Sequence, residues 1–365
     1  MKIYILFEDP FNKYANPYIR TLIEGINNQY NDIEWGYGIS KFWEDEIFNY
    51  NIVHIHWPNV FIWNHDKHCT NNTNDYEERI LSLKSKGIKI ISTCHNLKPH
   101  YSNNTIEHSL YDITYKYSDC ILHLGKYSLN LFKKEYPNSE HLILLHHTYD
   151  SIYNHYPTYE ESVKALNLNP NYKYILCFGA FRSNEERELI ITIAKYLKNR
   201  NIAILAPSFI KIPQRRNFFY KIKPYFKYIY YKLWYPNIII SKYFINDKQL
   251  EYYYGASVIS LIQRLKILNS GNISLGFLMK KIVIGPNVGN VGTWLKDTNN
   301  LTFDPNNITT LFNSIELAIK NTDKGGENYQ YAKSNLSTQK ISSTLYHYYK
   351  QAVLSSKNQQ EKNVI

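Results

Sequence analysis

The apolar residues of this chain fall into two rhythms. Short runs rich in Ile, Val, Leu and Tyr stand between longer stretches whose apolar positions return every three or four residues. The first rhythm suits strands buried on both faces, the second helices with one face turned inward. In the first half the runs predict strands over 2–7, 33–37, 52–55, 88–92, 120–124 and 141–145. Helices are predicted between them over 17–27, 76–86, 106–117 and 128–136. A second series predicts strands over 174–178, 202–205, 238–241, 258–261, 282–285 and 301–303, with helices over 185–199, 247–254, 271–279 and 308–321. Strands that alternate with helices build parallel βαβ units and a doubly wound sheet. The expected fold class is therefore α/β, with two Rossmann-like domains. A polar segment, 149–171, carrying Pro157 and Pro170, marks the join. A last helical pattern over 339–356 has no strand after it. The predicted division is 1–155, 156–338, and a C-terminal helix within 339–365 that packs back on the first domain.

Composition narrows the class. A chain of 365 residues exceeds one usual core, and 44% hydrophobic residues can fill two. No apolar run reaches the roughly eighteen residues that a membrane-spanning helix needs. The opening MKIYILFEDP reads as a buried strand, not as a secretion signal. Cys69, Cys94, Cys120 and Cys177 stand apart with no C-x-x-C pair, so zinc and redox motifs have no support. Packed, reduced thiols in the cytoplasm are the expectation. The formal charge of +11 favours an anionic partner. The 35 tyrosines read as compositional bias, not as function.

In doubly wound sheets, ligands bind beyond the carboxyl ends of the strands. After the third predicted strand come His54, His56, Trp57 and Pro58; after the fourth come Thr93, His95, Asn96, Lys98 and His100. These polar and aromatic groups are expected to converge. Trp57 offers a face on which a sugar ring can stack. His95 suits a base or a hydroxyl-binding donor, whereas His54 is expected to be buried and hydrogen-bonded. His54 and His56 are expected on opposite faces of their strand, which keeps them from sharing an ion, so no metal site is assigned. Glu8 and Asp9 follow the first strand at the same sheet edge.

In the second half, YILCFGAFR ends a strand at Gly179 and places Arg182 three residues on. Glycine lets the backbone approach a ligand closely, and arginine offers a planar fork for phosphate. Asn269, Ser270 and Gly271 open a helix that leads into Ile282–Ile284 and a glycine turn. Such helix starts favour anions. Between them, residues 211–232 interleave basic and aromatic side chains, among them Arg215, Arg216, Phe218, Phe219, Lys221 and Lys223. That composition suits a membrane interface, a solvated helix or single-stranded nucleic acid. No accompanying nucleic-acid motif is present, so nucleic acid is not expected as a partner.

Taken together, these segments resemble a GT-B nucleotide-sugar glycosyltransferase, similar to bacterial family 4-type enzymes of polysaccharide biosynthesis. IVHIHWPN and ISTCHNLKPH resemble the HxHWP and THNxxPH signatures of one subgroup. FGAFR resembles the element that meets the donor diphosphate, and LNSGNISLGFLMKKIVIGPNVG the donor-binding loop, helix and strand. The resemblance implies two domains facing across a cleft. It implies transfer of a sugar from a UDP- or GDP-linked donor to a glycan or polyprenyl-diphosphate-linked acceptor. The setting would be O-antigen, capsule or exopolysaccharide synthesis on the inner face of the cytoplasmic membrane, with no metal and no cofactor. Gly179, Arg182, Asn269, Ser270 and Gly271 would bind the donor. His56, Trp57, Asn96 and His100 would meet the acceptor, and, if the transfer inverts, His95 or Asp9 would serve as base. Two departures stand out. Glu185 and Glu186 lie where relatives carry a lysine, and the donor loop lacks a pair of glutamates. Lys266 or Arg264 is a candidate replacement for the lysine. A non-catalytic nucleotide- or sugar-binding protein of the same fold is the alternative reading.

Overall fold

Each half of the chain turns its β-branched runs into a six-stranded parallel sheet. The computed structural model describes all residues except 13–15, 70, 100–102, 211, 213–217, 242–244, 322 and 363–365; the side chains of Phe218, Phe219, Lys221 and 356–362 are also outside the description. The first sheet contains β1 (Lys2–Leu6), β2 (Glu34–Tyr37), β3 (Ile52–Ile55), β4 (Lys89–Cys94), β5 (Cys120–His123) and β6 (Glu140–Ile143), in the order β2-β1-β3-β4-β5-β6. All pairs are parallel. Every residue of β3 and β5 is buried, as a parallel strand covered on both faces requires. The core on one side gathers Phe42, Phe61, Tyr76, Ile80 and Ile90.

The helix Pro17–Asn27 starts well: Asn16 accepts from Tyr18 N, and proline occupies the first turn, where its missing N–H costs nothing. Against it lies the helix Thr338–Lys362. Gly25 makes this close approach feasible, since a Cβ there would overlap Ser342. Tyr30 stacks on Tyr346 with ring centroids 3.6 Å apart, and its hydroxyl bonds Ser343 at 2.7 Å. Tyr346 donates to Asp32 at 2.8 Å. The first unit is thus Met1–His146 with Thr338–Ile365.

The second unit, His147–Ser337, holds β7 (Lys173–Leu176), β8 (Ile202–Leu205), β9 (Ile238–Ile239), β10 (Ser257–Leu261), β11 (Ile282–Pro286) and β12 (Leu301–Phe303). Their order is β12-β11-β10-β7-β8-β9, again parallel. The helix Asp247–Ala256 opens with a full capping box, Asn246 with Gln249.

The boundary lies earlier than the polar segment suggests. Tyr153 packs with Tyr174 and Leu176 in the second core, and its hydroxyl bonds Asp247 at 2.7 Å. Residues 147–155 therefore belong to the second unit. The same segment contains the helix Tyr159–Ala165, capped by Thr158 and Glu161. The helices Phe218–Trp234 and Lys324–Asn335 are also additions to the sequence-predicted elements.

Candidate active site

In the first sheet, β1 and β3 are neighbours, but the chain leaves them in opposite directions, toward β2 and toward β4. The loops after such a pair diverge and leave a crevice. Phe7 follows β1, and its ring lies 5.7 Å from that of Trp57 after β3. Trp57 stacks on His95, which follows β4, at 4.3 Å and 20°. His56 Nδ1 and His95 Nε2 are 3.1 Å apart. Tyr18 stands edge-on to His95 at 5.0 Å and packs on His146 at 4.9 Å. His54 lies deeper, with Nδ1 2.6 Å from the Tyr349 hydroxyl and Nε2 2.8 Å from Thr93 Oγ1.

His54 and His56 share one side of their strand, with ring centroids 4.1 Å apart. This corrects the opposite-face expectation: strand side chains alternate with a period of two, so residues two apart point the same way. Burial drives the whole cluster neutral. Desolvation holds His56 down to about 3. It also holds His54 and His95 well below the ordinary histidine range, with the neighbouring imidazoles adding to the effect. Two neutral rings that meet nitrogen to nitrogen share one hydrogen. If His95 donates, its Nδ1 is left as a base; if His56 donates, His95 Nδ1 carries the proton. Among the described residues, no group of three or more His, Cys, Asp or Glu is placed to hold a metal.

In the second sheet the equivalent divergence falls between β7 and β10. Gly179, in the loop after β7, has φ +108°, a region side chains rarely enter. The loop after β10 comes to meet it: Asn272 Nδ2 donates to Phe178 O at 2.8 Å, and Asn272 N donates to Ser270 Oγ at 3.3 Å. Gly271 then leads into the helix Asn272–Leu278. Arg182 is exposed, and its guanidinium meets no acceptor among the described residues. The structure thus brings together Gly179, Ser270, Gly271 and the Arg182 backbone at one sheet edge.

No family model matches the chain, and no curated protein matches its sequence. Solved structures do match. Sucrose-phosphate synthase from Thermosynechococcus elongatus superposes with a TM-score of 0.70 at 11% identity, covering 97% of this chain and 100% of that one. HepE of Anabaena, in complex with UDP-glucose, gives 0.67 at 11% identity over 96% and 100%. A glycosyltransferase from Rickettsia africae gives 0.63 at 16% identity over 96% and 98%. The chain has the GT-B fold.

Within this GT-B fold the sequence-predicted residues do different jobs. Asp9 is exposed and closes a turn by accepting from Phe11 N at 2.9 Å; it makes no contact with His56 or His95. Asn96 ties its loop to the helix Thr105–Tyr117, with Nδ2 3.4 Å from the Tyr111 hydroxyl and its carbonyl accepting from Tyr115. Asn269 accepts from Asn290 Nδ2 at 2.7 Å, which ties the loop after β10 to the helix Gly289–Asp297. His100, Arg215 and Arg216 lie outside the described residues, as do the side chains of Phe218, Phe219 and Lys221; Lys223 is exposed.

Glu186 has a clear structural task. Its Oε2 accepts from Arg182 N at 2.7 Å, while Ser183 Oγ caps Glu186 N at 3.3 Å. The buried carboxylate therefore holds the turn that presents Arg182. Its Oε1 is buried with no partner among the described residues. Arg187 completes the clamp by donating to the carbonyls of Phe181, Ser183 and Phe209 at 3.0, 2.8 and 3.3 Å. Sequence reasoning missed Arg187 and Asn272. The available signals were an arginine among acids in a helix's first turns and an asparagine just after Gly271.

Proposed function

We propose that this GT-B protein is a nucleotide-sugar glycosyltransferase. It moves a sugar from a UDP- or GDP-linked donor to a hydroxyl of a glycan or lipid-linked oligosaccharide in surface polysaccharide synthesis. The observation that carries this reading is the Asn272–Phe178 tie. It joins the two diverging loops of the second sheet beside an arginine whose guanidinium meets no acceptor among the described residues. The second unit binds the donor, with Arg182 on the diphosphate and the Ser270–Gly271 turn beside it. Charge-assisted contacts of that kind contribute about 1.5–3 kcal/mol. Preorganised positive charge is what departure of a nucleotide diphosphate needs when no metal supplies it.

In the first unit His95 takes the acceptor hydroxyl proton, and His56 orients it. Burial keeps His95 neutral at pH 7, which leaves a ring nitrogen able to accept a hydrogen bond from that hydroxyl. The acceptor oxygen bonds to the anomeric carbon, and the bond from that carbon to the diphosphate oxygen breaks. Trp57 offers a stacking face to the acceptor sugar. The acceptor is presented at the cytoplasmic face of a membrane. HepE was solved with UDP-glucose, which makes uridine donors the first to test.

Thermal shift with UDP- and GDP-sugars identifies the donor, since a ligand of the folded state raises its stability. Arg182→Ala is expected to weaken donor binding about 10- to 150-fold, and activity is expected to survive a chelator. Unchanged binding and turnover in Arg182→Ala would remove the phosphate assignment. The buried Glu186, standing where related motifs carry a basic residue, supports a second reading as a binding protein without transfer. Donor binding with neither transfer nor donor hydrolysis would favour it.

A further inference from the structure

The charge of this chain is concentrated in one stretch. Residues 189–246 contain eleven lysines and arginines and no aspartate or glutamate. That equals the whole excess of 42 basic over 31 acidic residues, so the rest of the chain is balanced. The helix Phe218–Trp234 lies inside this stretch. Successive residues advance by about 100° around a helix, which separates its two long sides. On one side Tyr228 and Tyr231 pack on the second unit's core, with Tyr231 edge-on to Phe209 at 5.0 Å. The other side carries Ile222, Phe226, Ile229, Tyr230 and Leu233. Phe226 is 66% exposed, Leu233 72% and Trp234 71%. Exposed Lys223 and Lys227 flank this stripe on one shoulder and exposed Lys232 on the other.

A surface helix normally turns its apolar face inward and its polar face outward. This helix is apolar on both, and a large exposed apolar patch marks a partner. We propose that the outward face of Phe218–Trp234 docks the protein on an anionic lipid surface. The helix lies parallel to the membrane, with Phe226, Leu233 and Trp234 in the headgroup layer and the lysines on lipid phosphates. No described helix is long and apolar enough to cross a membrane, so the contact is interfacial. A second copy of this face would set lysines against lysines. Nucleic acid would find the rings of Phe226, Tyr230 and Trp234 interrupted by aliphatic Ile222, Ile229 and Leu233, which offer bases no stacking face. The inference is independent of the sugar-transfer reading, because docking is measured without donor or acceptor.

The test is flotation of the full chain with phosphatidylcholine vesicles, with and without phosphatidylglycerol. The protein is expected to float with the anionic vesicles, to stay behind with phosphatidylcholine alone, and to be released as salt rises. Phe226→Glu/Leu233→Glu and Lys223→Glu/Lys227→Glu are each expected to lower the bound fraction at least about tenfold. Unchanged circular dichroism and an unchanged cooperative thermal transition would show that the variants fold. Should the apolar double variant misfold, the exposed lysine pair decides alone. The proposal is overturned if the wild type ignores anionic vesicles or if a folded double variant floats like it. It is equally overturned if light scattering shows a dimer that Phe226→Glu/Leu233→Glu dissolves without vesicle binding.

Discussion

At the scale of single residues, burial favours the neutral form of His54, His56, His95 and His123 in the first unit. His123 shows why. Its Nε2 meets His141 Nδ1 at 2.9 Å, and His141 Nε2 must donate to Tyr136 O at 2.9 Å. In a neutral chain this fixes both tautomers, with His123 accepting from Ser128 at 3.1 Å. Desolvation holds His56 and His123 down to about 3, against about 6.5 in an unfolded chain. The unfolded state therefore takes up protons first as pH falls. The stabilisation is complete above about 6.5 and is lost progressively between there and about 3. At pH 5 each histidine is expected to have cost about 2 kcal/mol. Urea midpoints at pH 7.5 and 5 measure this, and His123→Asn is expected to flatten the difference. An equal slope in that variant would contradict the assignment. The strand-end positions of His54, His56 and His95 were legible in the sequence, because chain punctuation marks strand ends. Arg187 and Asn272 were not, because their partners are main-chain carbonyls supplied by other segments, which leave no side-chain pattern.

At the scale of elements, legibility followed periodicity. The helices Pro17–Asn27 and Ile308–Lys320 bury one clear apolar stripe and were readable to within a residue. Phe218–Trp234 carries apolar side chains around its circumference with lysines between them, so it read as a composition and not as a period. Tyr159–Ala165 is short, and its capping box is a stronger signal than its face, while Lys324–Asn335 is polar and starts without a side-chain cap. The turn between β7 and the helix Asn184–Tyr196 depends on Gly179. A Cβ there would come no nearer than 3.8 Å to Asn272 Nδ2, so space is not the constraint. The constraint is φ, and Gly179→Ala is expected to cost about 1–3 kcal/mol and to weaken donor binding. Chemical denaturation checks the first effect and thermal shift the second. An unchanged midpoint would mean that the turn relaxes without strain.

At the scale of the molecule, two α/β sheets were legible from alternation alone, because parallel strands need buried β-branched runs with crossovers between them. The junction was misplaced because prolines and polar residues around 149–171 look like a linker, while the buried Tyr153 shows where the second core begins. The described part of the C-terminal helix bears on the first unit at several points. It stacks Tyr346 on Tyr30, bonds Tyr348 to Ile143 O at 3.0 Å, and sends Tyr349 to His54. A chain ending at Ser337 is expected to lose residues 1–146 to limited proteolysis while 147–337 persists. Equal survival of both would show the helix to be dispensable. The same connection sets a schedule for synthesis. A ribosome adding about 5–20 residues per second needs about 10–40 s to make the second unit after His146. During that time the buried face around Gly25 and His54 waits for a helix that does not yet exist, and the second unit can finish folding before the first. A nascent chain is therefore most exposed to aggregation and chaperone capture at the part made earliest.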